Sequence, residues 1–207
     1  MMVERFWVRG ECGSIAPLAV VVCLVLVTTL GFAVDHGVVY AAKAHQEQAL
    51  DAARQACMDA SGAVPAKYAD NPGLTLADGI VQTVRDQGVS AALTVWFYEA
   101  PAQSTPRSER LWVIGVQVEQ HTPLPFSVPA SPQALTVASS RAFVAKPYSA
   151  EAVWRPERRI CGSYRFAEGS TAGMSTFSSI SSLQGFPDEM VKLAQGVGQG
   201  GLVVPRL

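Results

Sequence analysis

Charge is what this sequence has least of. Asp, Glu, Lys and Arg make up 16% of its 207 residues, against about 25% in an ordinary soluble domain, so part of the chain belongs in a non-aqueous environment. The two signs nearly cancel, 17 acidic residues against 16 basic, and that balance gives no reason to expect nucleic acid as a partner. Histidine is scarce too, present only as His36, His45 and His121. The four cysteines, Cys12, Cys23, Cys57 and Cys161, form no C-x-x-C pair, so neither a zinc site nor a thioredoxin-like motif is signalled. Nucleophile elbows, phosphate loops, His–Glu metal motifs and paired-acid signatures are all missing. Asp59-Ala60-Ser61 lacks the second serine of a D-x-S-x-S metal site. His45 and Cys57 lie twelve residues apart on one helix, about three turns and out of reach. The expectation is a non-enzymatic protein with no catalytic residues, no metal, no cofactor and no small-molecule substrate.

What the chain does have is one long apolar run. Ile15 to Val34 reads IAPLAVVVCLVLVTTLGFAV without a charge, and about 20 apolar residues span a bilayer core of roughly 30 Å. Twelve of the run are Val, Leu, Ile or Phe, together favouring insertion by about 4 to 7 kcal/mol. With Ser14 as N-cap, Pro17 falls in the first turn, where its missing N–H costs nothing. Ser14 and Asp35 mark the two membrane boundaries. The run exceeds the roughly 7–15 residues of a signal-peptide core, and the peptidase-like YAAKA ending at Ala44 lies well beyond it, so the anchor is expected to be retained. Arg5 and Arg9 before the run and Lys43 and Arg54 after it nearly balance. The short tail facing a long C-terminal part points to the N-terminus inside and the C-terminal domain outside.

Helical signal continues past Asp35. HGVVYAAKAHQEQALDAARQACMDA is rich in Ala, Gln, Glu, Lys and Leu, all good helix formers. Val39, Ala42, Gln46, Ala49, Ala53, Ala56 and Ala60 recur in steps of three and four, a narrow stripe of mostly small side chains. Such a stripe packs either on the chain's own sheet or on neighbouring helices. Ser61-Gly62 and Pro65 end the helix.

Beyond it, Thr75 to Asp78 resembles a capping box, with Leu76, Ile80, Val81 and Val84 on one helical face up to Gly88. Ala92–Glu99, Leu111–Glu119 and Leu135–Ala145 alternate as strands, with Trp112, Ile114, Val116 and Val118 on one face of the second. The fold class expected is α+β: a long transmembrane helix extended into the aqueous phase and packed on a small antiparallel meander. After Ala150 the signal weakens to a loose basic cluster, Arg155, Arg158, Arg159 and Arg165, then a Ser/Gly-rich loop over 168–182 and a short helix over 187–195. Cys57 and Cys161 are the only cysteines outside the anchor region. Exported thiols tend to pair, and a bridge closing a loop of about 100 residues is worth up to ~4.7 kcal/mol.

One stretch resembles a known family. Arg9-Gly-Glu-Cys-Gly-Ser-Ile-Ala-Pro17 leading into the apolar run, then GFAVDHGVVYAAKAHQEQALDAARQAC, is similar to the N-terminal module of TadE/TadG-like proteins of the Tad (Flp) pilus. Gly13, Pro17, Asp35, Tyr40, Gln48 or Gln46, and Asp51-Ala52-Ala53 carry the likeness over about residues 9 to 57. The strand ending in T-PLPF is similar to that family's distal part. Prepilin processing uses a glycine with Glu five residues later, whereas Ile15 follows Gly10 and Leu18 follows Gly13 at that distance. The resemblance therefore implies an uncleaved, TadG-like anchor, without the von Willebrand-type metal domain of longer members.

The organisation expected is a cytoplasmic tail (1–14), a transmembrane helix (15–35), an extracytoplasmic helix (36–62), an α+β domain (63–149) and a loop-rich C-terminal part (150–207). The resemblance implies a minor pilin-like component of a Tad-type pilus in the bacterial inner membrane. Its partners would be the lipid bilayer and other pilus assembly proteins or pilin subunits. The alternative is a membrane-anchored extracytoplasmic binding module unrelated to pili.

Overall fold

A single helix, α1 (Ile15–Met58), carries the apolar run and its polar extension without interruption. Its 44 residues correspond to about 66 Å at 1.5 Å per residue. The two threonines inside the apolar run cost the helix little. Thr28 Oγ1 donates to the Leu24 and Val25 carbonyls, both at 2.9 Å, and Thr29 Oγ1 donates to those of Val25 and Leu26 at 2.9 and 3.0 Å. The large apolar side chains from Ile15 to Val34 are exposed, and among the described residues this is the one helix long and apolar enough to cross a membrane. The computed structural model describes residues 15–59, 65–100, 110–126, 133–145 and 160–198. Ser14, Cys12, Ala60 and the arginines at 155, 158 and 159 lie outside them.

Helix α2 (Pro72–Asp86) begins one turn before the expected capping box. Asn71 is the N-cap, its Oδ1 accepting from the Leu74 N–H at 3.1 Å, and Pro72 follows it. Asn71-Pro72 outcompetes Thr75 because proline is preorganised for the first helical position. At the other end Gly88 sits at φ +81°, its N–H on the Arg85 carbonyl at 2.8 Å and the Val89 N–H on Val84 at 3.2 Å, a Schellman stop.

The sheet has five strands, β1 (Ala92–Glu99), β2 (Trp112–Pro123), β3 (Ala134–Ala145), β4 (Gly162–Phe166) and β5 (Thr176–Ser179), in the order β3-β2-β1-β4-β5. Every neighbouring pair is antiparallel. The expected meander is therefore its first half, and two short strands from the tail extend it. β5 falls where the sequence reads as loop, because its four exposed residues bury no periodic face.

Period-two pleating sorts the side chains into two cores. Leu93, Val95 and Phe97 of β1 pair with Val118, Val116 and Ile114 of β2 and pack under α1 and α2, with Ala49, Leu50, Ala53, Ile80, Val81 and Val84. Val113, Val144, Phe186 and Met190 form the second cluster on the opposite face, joined by Trp96 and Tyr98. There α3 (Asp188–Gly198) covers the sheet. Gly115 makes that packing close, since a Cβ there would stand 2.4 Å from Met190 Sδ. The chain is thus an α+β domain with a long apolar helix packed on its sheet.

Candidate functional site: the seam between helix and ribbon

β2 and β3 outrun the rest of the sheet. β1 stops pairing at Glu119, while Gln120 to Pro123 continue against Val137 to Ala134 alone. At about 3.3 Å per residue this two-stranded ribbon extends roughly 13 Å beyond β1, alongside α1 toward its apolar half.

Three polar side chains of α1 bond to β2, β3 and the residues just beyond. Arg141 Nη1 on β3 donates to Asp51 Oδ1. One turn and a half earlier, Gln46 Nε2 donates to the Val137 carbonyl at 3.2 Å, with Gln120 Oε1 at 3.5 Å. Nearest the apolar run, Asp35 Oδ1 accepts from the Phe126 N–H at 3.1 Å. Gly31 lies directly beneath Phe126, and a Cβ there would sit 3.1 Å from the Phe126 Cβ. Ribbon residue numbers rise along β2 as helix numbers fall, so the strand runs down the helix toward Ile15.

The expected stripe lies mostly in this seam. Gln46, Ala49 and Ala53 are 0% exposed, so the small side chains admit the chain's own sheet. Val39, Ala42 and Ala56 at the stripe's edges are half-buried, and Leu50 and Cys57 complete the buried face. Of the two glutamines carrying the family likeness, Gln46 is buried and Gln48 exposed. Asp35, Gln46, Asp51 and Ala53, all residues of the resemblance, lie on the side of α1 that meets β2, β3 and Phe126. The Gln46 Oε1, Thr122 Oγ1 and Ser139 Oγ atoms are buried here without a protein partner among the described residues, so the seam is more polar than the adjoining core.

The other side of α1 presents an aromatic ladder. Phe32 and His36 meet edge to face at 4.2 Å between centroids, His36 and Tyr40 lie at 6.5 Å, and Phe32 and Tyr40 are 67% and 71% exposed.

Cys57 and Cys161 are not brought together. Cys57 packs in the helix-side core and its thiol is unbonded, whereas Cys161 packs against the cluster on the far face of the sheet. Burial alone pushes the Cys57 thiol up to about 12. His121 is exposed, with Nδ1 3.1 Å from Thr136 Oγ1. His45 Nε2 meets the Gln87 carbonyl at the end of α2, at 2.8 Å. Arg165 is exposed on β4. Among the described residues no His, Cys, Asp or Glu group has the three members a metal site needs.

Sequence reasoning did not select Phe126, Gln120 or Arg141. A signal for Arg141 exists, since it is the one charged residue between Glu119 and Lys146. A lone charge on a strand beside a helix rich in Asp and Gln has a partner to find.

A long apolar helix whose polar half is roofed by a small α+β domain is the build of a helix-anchored domain. Residues 13–56, which span α1 almost to its end, match the family model described as "Putative Flp pilus-assembly TadE/G-like". Over that stretch the chain is similar to a pilus-assembly family. No curated protein and no solved structure matches the chain significantly.

Proposed function

We propose that the protein is a membrane-anchored, non-enzymatic structural or assembly component of a Tad-type pilus, with a pseudopilin-like build. Its apolar helix would sit in the inner membrane, its N-terminus inside and its domain in the extracytoplasmic space. The match of residues 13–56 to the TadE/G-like model carries this reading. The division of the helix supports it. One side of α1 is committed to the chain's own sheet, leaving Phe32, His36, Tyr40, Glu47 and Gln48 outward and open to other pilus subunits. Loss of the gene is expected to abolish or shorten surface fibres while growth and membrane integrity stay normal. A knockout with unchanged piliation, adhesion and biofilm formation would overturn it in favour of an anchored binding module.

A further inference from the structure

The ribbon contacts α1 at a residue that belongs to the apolar run. Gly31 precedes Val34, the last residue of that run, by three positions, about 4.5 Å of helix axis. Phe126 rests against Gly31, and its N–H is fixed to Asp35 one turn above. If residues 15–34 fill a hydrocarbon core of roughly 30 Å, the Phe126 ring stands at the outer boundary between acyl chains and headgroups.

The chemistry of the ribbon suits that depth. Its described arms, Thr122–Phe126 and Gln133–Ser140, carry no Asp, Glu, Lys or Arg, while charges resume at Glu119 and Arg141 near its base. Leu135 and Phe126 are 46% and 56% exposed. Aromatic residues are enriched where headgroups meet acyl chains. The ladder of Phe32, His36 and Tyr40 crosses the same level on another side of the helix.

We propose that the β2–β3 ribbon is a second membrane contact, dipping its Phe126 end into the outer surface of the lipid bilayer beside the anchor. The domain then stands on the bilayer at two points, and the ribbon fixes its rotation about the helix axis. This inference rests on the membrane-spanning reading of residues 15–34 and is independent of the pilus reading.

The test is nitroxide accessibility in full-length protein reconstituted in phosphatidylethanolamine–phosphatidylglycerol vesicles. Labels go on Pro125→Cys beside Phe126, Val27→Cys within the apolar run and Lys192→Cys on α3. Cys12, Cys23 and Cys161 are replaced by serine, and the buried Cys57 is left in place. The expected result is that labels at 27 and 125 collide more often with lipid-soluble oxygen than with an aqueous nickel chelate, and the label at 192 shows the reverse. Adding Phe126→Asp should return the label at 125 to water and leave that at 27 unchanged. A label at 125 as accessible to nickel as that at 192, with 27 protected, would overturn the ribbon contact and leave the anchor standing. Nickel access at 27 would overturn both.

Discussion

Arg110 and Glu99 form a buried fork: Nε donates to Oε1 at 2.6 Å and Nη2 to Oε2 at 3.3 Å, with the two residues 1% and 2% exposed. The third nitrogen, Nη1, donates to the Lys67 carbonyl at 2.7 Å, and the guanidinium lies 5.2 Å from the Trp112 ring. The pair links the end of β1, the start of β2 and the helical turn at 65–68, at the end of the sheet opposite the ribbon. Removing one partner strands the other charge in the interior, which typically costs about 3–5 kcal/mol, whereas replacing both with apolar residues is often neutral. Arg110→Ala should therefore lower the urea midpoint steeply, and Glu99→Leu with Arg110→Met should recover most of the loss. Equal stability of Arg110→Ala and wild type would show that this fork does not hold the two strands.

Two glycines of α2 should respond to alanine in opposite directions. A Cβ on Gly73 would meet Phe97 Cδ1 and the Tyr164 hydroxyl, each at 2.8 Å. Overpacking of that kind costs roughly 1–3 kcal/mol. Gly79 faces open space on the same helix, and alanine there should gain up to about 1 kcal/mol from helix propensity. Thermal unfolding of the two variants in detergent decides it. A destabilised Gly79→Ala would mean that its face is covered by another chain.

Alkaline pH should loosen the domain through two buried acids. Burial raises the Cys57 thiol from 9.0 to about 12. Burial also raises the Tyr164 phenol from 10.0 to about 12, opposed by its hydrogen bond to Asn71. Between the unfolded and folded values the unfolded chain has lost its proton and the native one keeps it. Stability is thus flat below pH 9 and falls as pH climbs toward 12, by at most about 1.4 kcal/mol per unit for each group. Cys57→Ala should flatten the decline from pH 9, and Tyr164→Phe the decline from pH 10. At pH 8 burial keeps the native Cys57 thiol protonated and shielded, so maleimide should label it only after denaturation. Failure to label denatured, unreduced protein would reveal a bridge to Cys161 instead.

Elements with a long buried face were legible in the sequence, whereas five-residue β4, which buries only Tyr164 and Phe166 of its larger side chains, and the tail held by distant partners were not. Leu93, Val95 and Phe97 declare β1 by alternation, and Leu76, Ile80, Val81 and Val84 declare α2 by helical period. The tail is ordered by other means. Arg85 Nε and Nη2 donate to the Ser170 and Ala167 carbonyls at 3.0 and 3.2 Å, and Asp78 Oδ1 accepts from the Gly173 N–H at 2.8 Å. Burial lowers the Arg85 pKa while Glu168 opposes the shift. No local period records such contacts. The stripe on α1 was visible, but its partner was not, because small side chains suit a sheet and a neighbouring helix equally. The ribbon contact at Gly31 was hidden for the same reason: Phe126 is 95 positions away in the chain.

Two faces of α1 should separate folding from function. Ala53 is 0% exposed against the sheet, so Ala53→Arg must bury a long charged stem in a filled core. Overpacking alone costs roughly 1–3 kcal/mol, and the unpaired charge adds to it. That variant should be scarce in membranes and quickly degraded. Tyr40 is 71% exposed, its ring 6.5 Å from that of His36, so Tyr40→Arg should leave abundance within the small range typical of surface changes. If the outward face meets other pilus subunits, Tyr40→Arg should accumulate normally and yet give few or no fibres. Immunoblots of membrane fractions read the first quantity, and electron microscopy of sheared fibres the second. Full piliation with Tyr40→Arg, Gln48→Arg and their combination would remove the outward face from assembly and leave the helix as an anchor alone.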